Sequence, residues 1–417
     1  MLTVKQLPDL HGKKVYVRVD FNVPHKGEVI SDDNRIRAAI PTIKALLEKG
    51  ARVVLMSHLG KVDWKKLKKG EKTQEDIDGQ MKKNNLIIAV EPLKKHISEA
   101  MGRDVHVAFC PENRGEALKG AVEALKDGEI LLAQNTRYQP GEEKNDPELA
   151  KEWASLVDAF VMDAFGSAHR AHASTVGVPE ILKAEGKPVF LGFLMIKEVE
   201  NLTRCVEVKP EDRPYVAILG GLKVSDKIKV IDALIDKCDY IIIGGAMSYT
   251  FKKARGEKIG GSFLDEASLD YAKNCLAKAG DKIVLPIDSV ITDSFEPVEG
   301  RKIEVVEDIP EGFEGVDIGP KSEKLFAEVI AKAKMVFWNG PMGVFEQPEF
   351  QSGTKAVCEA IKDLDGKAFT VCGGGDSAAA IKQFGYKENF SHVSTGGGAS
   401  LEMIENEGHL PGVDVLR

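Results

Sequence analysis

The segment that decides the fold is Lys14-Val15-Tyr16-Val17-Arg18-Val19-Asp20-Phe21-Asn22-Val23-Pro24. Three valines alternate with Tyr16 and Arg18, and this alternation predicts a β-strand. Pro24 cannot donate a hydrogen bond to a neighbouring strand, so the strand should end before it. The strand then delivers Asp20 and Asn22 at its carboxyl end, where open α/β sheets bind ligands. A strand followed by an ordinary polar turn is the alternative.

Bulk composition narrows the class of protein. A chain of 417 residues is too long for one ordinary core, so two domains are expected. The net charge of −8 argues against general binding to nucleic acids or anionic membranes. The sequence has no signal-peptide core and no run of 18 apolar residues, so no membrane span is expected. Six scattered cysteines without a C-x-x-C pair predict buried thiols in a reducing compartment, hence a cytoplasmic protein.

Strand-like and helix-like segments alternate along the chain. This alternation predicts βαβ units, parallel sheets and right-handed crossovers. The fold class expected is therefore α/β, with two doubly wound, Rossmann-like parallel-sheet domains joined by a helical hinge. Candidate strands cover 14–20, 51–57, 104–110, 129–133, 157–163, 215–219, 239–243, 282–288, 335–338 and 368–372, and candidate helices cover 35–49, 226–237, 265–278, 319–333 and 352–364.

The alternation stops twice. Residues 179–212 read as a connecting helix, which divides the chain into an N-terminal domain over 1–178 and a C-terminal domain over 213–395. The remaining segment, 396–417, is expected to return to the N-terminal domain. Residues 61–85 carry eight lysines and few apolar residues, which predicts a solvated excursion.

The second half carries glycines after its strands. Glycine lets a backbone approach phosphate closely, and helix N-termini supply N–H donors and positive potential. A single pair usually marks a tight turn, whereas five sites on one predicted sheet edge indicate a nucleotide crevice. The five are Gly220-Gly221, Gly244-Gly245, Asn339-Gly340, Gly373-Gly374-Gly375 and Gly396-Gly397-Gly398.

Charged residues near these glycines allow more than one interpretation. Lys223 and Lys227 have the i, i+4 spacing of one helix face, which is either a phosphate grip or a solvated surface. Asp376 suits a helix N-cap, and a single carboxylate also suits Mg²⁺ held together with substrate phosphates.

Known nucleotide motifs give a second hypothesis. The chain lacks the G-x-x-x-x-G-K-[ST] phosphate loop. Gly373, Gly375 and Ala378 fit the dinucleotide pattern G-x-G-x-x-A, but no acid follows the next strand, where that pattern requires one. A nicotinamide-dependent dehydrogenase is therefore the runner-up from motifs.

The first half places basic residues at strand ends. Arg35, His58, Arg137 and Arg170 each follow or flank a predicted strand or acidic turn. Arginine binds carboxylate and phosphate with two parallel hydrogen bonds, so the group predicts a pocket for an anionic substrate. His169 and His172 have metal-compatible spacing without a nearby third ligand, so no metal is expected there.

With these residues identified, the sequence resembles the phosphoglycerate kinases from Val15 to about Leu410. The motifs that carry the resemblance are Arg18–Pro24, Ser57–Gly60, Asn135–Tyr138, Gly141–Asp146, Asp163–Gly166, Trp338–Glu346 and Ser394–Ala399. The resemblance implies a cytoplasmic glycolytic kinase that transfers a phosphoryl group reversibly from 1,3-bisphosphoglycerate to MgADP, giving 3-phosphoglycerate and MgATP. It implies in-line transfer in a closed two-domain cleft, by a monomer without nucleic-acid or membrane partners.

The resemblance also assigns residues. Arg35 and Lys223 would stabilise the transferring phosphoryl group, and Asp376 would hold Mg²⁺. The phosphoglycerate would be bound by Asp20, Asn22, Arg35, His58, Arg137 and Arg170. The nucleotide would lie among Gly220, Gly221, Lys223, Lys227, Gly244, Gly245, Asn339, Gly340, Val344, Glu346, Gly374, Gly375, Asp376 and Ser377, with Gly396 and Gly397 as a phosphate loop.

Three positions depart from the family pattern. Lys61 stands where an arginine is common beside the substrate phosphate, Gln134 replaces a glutamate, and Ser377 replaces a threonine. A binding protein or scaffold that has lost catalysis is the alternative from another class. Intact Arg35, Lys223 and Asp376 argue against it.

Overall fold

The apolar runs of the sequence form the strands of two parallel sheets, one in each of two units. The structure, a computed structural model, describes residues 1–417. Unit 1 comprises Met1–Val199 and His409–Arg417, and unit 2 comprises Glu200–Gly408. The predicted α/β fold with two parallel-sheet units is confirmed.

Unit 1 contains a seven-stranded sheet in which every neighbouring pair is parallel, in the order β1-β9-β8-β2-β5-β7-β6. A short antiparallel hairpin, β3-β4, lies outside this sheet. The strands are β1 Leu2–Thr3, β2 Lys14–Val19, β3 His25–Lys26, β4 Val29–Ile30, β5 Arg52–Met56, β6 Val107–Cys110, β7 Ile130–Ala133, β8 Ala159–Asp163 and β9 Val189–Leu191. The helices are α1 Asn34–Glu48, α2 Trp64–Lys68, α3 Gln74–Lys83, α4 Val90–Met101, α5 Gly115–Glu123, α6 Pro147–Ser155, α7 Val178–Ala184 and the first part of α8 Phe193–Val206.

Unit 2 contains a six-stranded parallel sheet in the order β12-β11-β10-β16-β17-β18, and a separate antiparallel sheet in the order β14-β13-β15. The strands are β10 Tyr215–Leu219, β11 Tyr240–Ile243, β12 Ile283–Val284, β13 Ser289–Thr292, β14 Ile303–Val306, β15 Glu314–Ile318, β16 Met335–Asn339, β17 Phe369–Cys372 and β18 His392–Val393. The helices are α9 Ile228–Leu234, α10 Met247–Ala254, α11 Leu269–Ala279, α12 Pro320–Ala331, α13 Ser352–Lys362, α14 Gly375–Phe384 and α15 Gly398–Glu405, while α16 Pro411–Asp414 belongs to unit 1.

Burial explains the composition of the central strands. Every residue of β10 is buried, as are Val15, Val17 and Val19 of β2. Helices cover both faces of a doubly wound sheet, so its strands need continuous apolar sequence rather than strict alternation. The six cysteines are buried and unpaired, as expected.

The prediction of a single connecting helix over 179–212 is wrong. The segment contains most of α7, the strand β9 and the helix α8. Gly186 has a φ of +74°, which ends α7, and β9 pairs with β8 and β1 at the edge of the sheet. The division between the two units falls inside α8, between Val199 and Glu200.

The lysine-rich segment 61–85 is ordered into two short helices. Lys65, Lys66, Lys68 and Lys69 are exposed, in agreement with the prediction of a solvated segment. Ile77 is nevertheless buried, and a capping box at Thr73 and Asp76 starts α3. No helix of the structure combines the length and apolar character needed to cross a membrane.

Candidate functional site

The carboxyl end of β2 and the start of α1 hold the first group of predicted site residues together. Nη1 of Arg35 donates to both carboxylate oxygens of Asp20, at 3.2 and 3.3 Å, and to the backbone oxygen of Asn22 at 3.0 Å. The side-chain oxygen of Asn22 accepts from the Gly60 N–H at 2.8 Å. These bonds tie the loops after β2 and β5 to each other. The remaining edge of the half-exposed guanidinium stays available for an anion.

His58 follows β5 and is buried, with 6% of its surface exposed. Nη2 of Arg18 lies 3.0 Å from Nδ1 of His58. Arginine can only donate, so Nδ1 is the acceptor and Nε2 carries the proton. Burial, reinforced by the charges of Arg18 and Arg137, holds the pKa of His58 well below its usual range. His58 is therefore a neutral donor rather than a cation.

Beneath this edge lies a buried charge network that sequence reasoning did not assign to the site. Arg18 is 1% exposed, and its Nε donates to the Ser174 hydroxyl at 2.9 Å. That hydroxyl donates to Glu142 at 2.7 Å, while the Ser174 N–H donates to the other carboxylate oxygen at 2.8 Å. Glu142 is fully buried and compensates the buried guanidinium. The only sequence signal was a charged residue inside an apolar strand.

Arg137 lies in the turn after β7. Its Nη1 donates to the backbone oxygen of Gly60 at 2.8 Å, and burial lowers its pKa. The Trp64 indole donates to the backbone oxygen of Arg137 at 2.8 Å, so the lysine-rich segment supports this turn. Lys61 is 70% exposed and lies 4.0 Å from the Asp63 carboxylate.

Arg170 is exposed, and its charge contributes to lowering the pKa values of Arg137 and His172. His172 has its pKa lowered to about 4, chiefly by burial. Hydrogen bonds that meet at Gly60 therefore link Asp20, Asn22, Arg35 and Arg137, and the charge of Arg137 also acts on His58, as that of Arg170 acts on Arg137. Excess positive charge with neutral donors is the chemistry of an anion site.

In unit 2 the glycines after β10 and β16 permit two backbones to pass closely. The Gly220 N–H donates to the Asn339 backbone oxygen at 2.9 Å. Gly340 has a φ of +99°, and a Cβ there would lie 2.3 Å from the Gly220 oxygen. A Cβ on Gly220 would lie 2.1 Å from the Pro341 oxygen. Glycine is required at both positions, because no side chain fits and the φ of Gly340 is left-handed.

A cavity of about 240 Å³ lies at the N-terminus of α14. The Lys227 amine donates to the side-chain oxygen of Asn339, whose amide nitrogen donates to the Gly373 oxygen at 2.6 Å. The Ser377 hydroxyl accepts from the Gly340 N–H at 2.6 Å, so serine fulfils this role without the methyl group of threonine. The lining residues are Gly221, Lys227, Asn339, Gly340, Pro341, Gly374, Gly375, Asp376, Ser377, Gly397, Gly398 and Leu401.

A second cavity, of about 480 Å³, has mainly apolar walls. Its size and walls suit a planar base and sugar. Sequence reasoning predicted Gly221, Gly245, Val344, Glu346 and Asp376 among its lining. It missed the walls formed by Leu222, Ala246, Tyr249, Phe295, Gly315, Val316, Pro341, Met342, Gly343 and Gln347. Several of these come from the antiparallel sheet and its loops, for which the alternating pattern gave no signal.

Four predicted nucleotide residues line neither cavity. Gly220 and Gly244 pack against the segment after β16 instead. A Cβ on Gly244, for example, would lie 2.3 Å from the Met342 sulfur. Gly396 is buried, and its N–H donates to Ser394. Lys223 is exposed and precedes a 3-10 turn, Val224–Asp226, so the predicted helix face shared with Lys227 does not form.

Asp376 borders both cavities from the first turn of α14, where it is exposed. The structure contains no cluster of three or more metal-ligating side chains. Mg²⁺ is commonly held by one or two carboxylates together with substrate phosphates and water. A lone carboxylate at the junction of a nucleoside-sized and a phosphate-sized cavity fits that mode of binding.

Comparison with known proteins agrees with this geometry. The sequence model of the phosphoglycerate kinase family matches residues 4–407. The phosphoglycerate kinase of Enterococcus faecalis is 50% identical over 415 residues, covering 99% of this chain and 98% of that protein. That of Thermosipho africanus is 48% identical over 417 residues, covering 99% and 96%.

Solved structures give the same result. The phosphoglycerate kinase of Coxiella burnetii superposes with a TM-score of 0.83 at 36% identity, covering 100% of this chain and 98% of that one. That of Pyrococcus horikoshii superposes with a TM-score of 0.78 at 30% identity and the same coverage. The chain therefore belongs to the phosphoglycerate kinase family.

Proposed function

We propose that this chain carries out its family's reaction with an anion site of side chains in unit 1 and a backbone cradle in unit 2. The enzyme transfers a phosphoryl group reversibly between 1,3-bisphosphoglycerate and ADP, giving 3-phosphoglycerate and ATP. Unit 1 binds the phosphoglycerate and unit 2 binds the nucleotide. Family membership replaces the dehydrogenase hypothesis, which already lacked the acid required after β18.

The phosphoglycerate is bound by Asp20, Asn22, Arg35, His58, Arg137 and Arg170. Asp20 orients Arg35 through the hydrogen bonds from Nη1, and the free edge of the guanidinium faces the phosphoryl group. The Nε2 proton of His58 donates to a substrate oxygen without adding charge. Arg137 and Arg170 supply the positive charge that compensates the phosphate.

The nucleoside occupies the larger cavity and its phosphates occupy the smaller one. Lys227, the glycine N–H groups and the N-terminus of α14 bind phosphate oxygens. Glu346 accepts hydrogen bonds from the ribose hydroxyls. Asp376 holds Mg²⁺, which neutralises charge on the nucleotide phosphates when it is bound.

Arg35 and Lys223 stabilise the transferred group. Phosphoryl transfer spreads negative charge over three oxygens, so it depends on positioning and neutralisation rather than on a covalent nucleophile. Transfer in line within a closed cleft, a monomeric state and a cytoplasmic location remain predictions from the sequence.

The observation that supports this function most directly is the position of Asp376 on the border of both cavities. Equilibrium binding tests it. Asp376→Asn should weaken MgADP binding about tenfold or more and leave 3-phosphoglycerate binding unchanged, and Arg170→Ala should do the reverse.

A coupled assay of ATP formation completes the test. Wild-type protein should form ATP from 1,3-bisphosphoglycerate and MgADP. Absence of turnover, with both ligands bound, would favour a binding protein that has lost catalysis. If each of the two variants weakened the binding of both ligands, the proposed division of roles between the two units would be contradicted.

A further inference from the structure

Two separate chain segments form one wall of the larger cavity in unit 2. Phe295 lies in the loop between β13 and β14, and Gln347 lies in the loop after β16. Both line the cavity. Phe295 is also 48% exposed.

Arg301 joins these two segments. Its Nη1 donates to the Gln347 side-chain oxygen at 2.8 Å and to the Phe295 backbone oxygen at 3.2 Å. The Gln347 amide nitrogen donates to the same Phe295 oxygen at 3.0 Å. Three hydrogen bonds therefore close a triangle behind the cavity wall.

Arg301 is itself held firmly. Its side chain is 6% exposed, Nη2 lies 3.3 Å from the Glu349 carboxylate, and its guanidinium carbon lies 4.7 Å from the centre of the Phe350 ring. Phe350 is fully buried. A planar cation fixed by a carboxylate and an aromatic ring is a rigid support, because little side-chain freedom remains to be lost.

Arg301 does not line the cavity, so it cannot contact a nucleotide there. Both ends of the Gln347 amide are also engaged in the triangle. We propose that Arg301 is a positioning residue that fixes the Phe295–Gln347 wall and thereby sets the affinity for the nucleoside part of ADP. This inference rests on the proposed function, which places the nucleoside in the larger cavity.

Calorimetric titration with ADP tests the proposal. Arg301→Met should raise the Kd for ADP about tenfold, the effect of losing about 1.4 kcal/mol of binding free energy. The kcat at saturating ADP and the KM for phosphoglycerate should stay within twofold of wild type. Arg301→Lys keeps the charge beside Glu349 but loses the planar fork, so it should recover part of the loss.

A pyrophosphate competition separates the two cavities. Pyrophosphate has no nucleoside, so its binding should not change in Arg301→Met. Equal weakening of pyrophosphate and ADP would overturn the proposal, because the substitution would then disturb the phosphate cavity as well.

A double-mutant cycle with Gln347→Ala tests whether the triangle acts as a unit. The double variant should bind ADP no more weakly than the weaker single variant. Independent effects, whose fold-changes multiply, would overturn the proposal.

Arg204 provides a control with the same kinds of contact, although its side chain is 50% exposed. Its guanidinium carbon lies 3.9 Å from the Phe369 ring centre, and its Nη2 donates to Asp212 at 3.2 Å, but none of the three residues lines the cavity. Arg204→Met should lower the thermal unfolding midpoint without changing the Kd for ADP. Wild-type protein that fails to bind ADP would overturn the proposed function, whereas wild-type binding with an unchanged Kd in Arg301→Met would overturn only this inference.

Discussion

Each unit places its binding groups at the carboxyl ends of the strands of its own parallel sheet, but the two units use different kinds of group. Unit 1 uses charged side chains, supported by buried Arg18 and Glu142, which Ser174 bridges. Unit 2 uses glycine backbone, where Gly220 and Gly340 approach too closely for any side chain. Each unit also buries a carboxyl group with a raised pKa, Asp163 in unit 1 and Asp317 in unit 2, so the stability of both should depend on pH. The close backbone approach in the unit 2 cradle makes that site sensitive to added volume as well.

In unit 1 the largest expected effect concerns Asp163, a buried carboxyl group at the end of β8. Burial raises its pKa from 3.8 to about 7. The folded state binds this proton more tightly than the unfolded state does. The group's contribution to the free energy of unfolding is therefore complete below about pH 4 and is lost as the pH rises towards 7. The loss is on the order of 4 kcal/mol, since each pKa unit corresponds to about 1.4 kcal/mol.

Urea unfolding of wild-type protein and Asp163→Asn at pH 5 and 8 measures this effect. The variant lacks the ionisation, so it should gain stability relative to wild type as pH rises. Parallel pH profiles of the two proteins would show that Asp163 does not titrate in this range.

The second prediction compares cations in the two units. Arg35→Ala and Lys223→Ala should each lower kcat by a factor of about 10²–10³, because charge spreads over the transferred oxygens only in the transition state. The KM values should change less. Steady-state kinetics in the ATP-forming direction measures both, and near wild-type kcat in either variant would remove that residue from catalysis.

The third prediction tests the backbone cradle. Gly340→Ala places a Cβ 2.3 Å from the Gly220 oxygen at a φ of +99°. Overpacking and backbone strain should together cost about 3 kcal/mol of unfolding free energy and weaken ADP binding.

Gly366→Ala separates the two costs. Gly366 has a φ of +73° but no atom within 4 Å of an added Cβ, so only the strain should remain, about 1 kcal/mol. Equal losses in the two variants would show that the close approach of Gly220 and Gly340 contributes nothing.

The smallest expected effect concerns Lys61, which is exposed and contacts Asp63 only at 4.0 Å. Lys61→Arg replaces a point charge with a planar fork, which binds phosphate more specifically. The KM for 3-phosphoglycerate should fall about two- to fivefold while the KM for ATP stays constant, an energy of at most about 1 kcal/mol. An unchanged phosphoglycerate KM would mean that Lys61 serves only as a solvated surface residue.

Residue type made much of the unit 1 site predictable from sequence. An arginine or histidine at the end of a predicted strand indicates an anion site by its residue type alone. Arg35, His58 and Arg137 do lie near one another. The network beneath them was not predictable, because the partnership of Arg18 with Ser174 and Glu142 spans more than 150 residues. The nucleoside cavity was predicted only in part, since Phe295 and Gln347 carry no motif and meet through Arg301.

The sequence by itself determined the βαβ pattern, the parallel sheets and the strand ends at which polar and glycine residues collect. These features follow from local periodicity and backbone geometry, which a short window of sequence contains. Only the tertiary structure decided that β9 interrupts the segment over 179–212, that Lys223 and Lys227 share no helix face, and that Asp376 borders two cavities. Those outcomes depend on which distant segments pack together, and the free energy of that packing is not encoded in any one stretch of the chain.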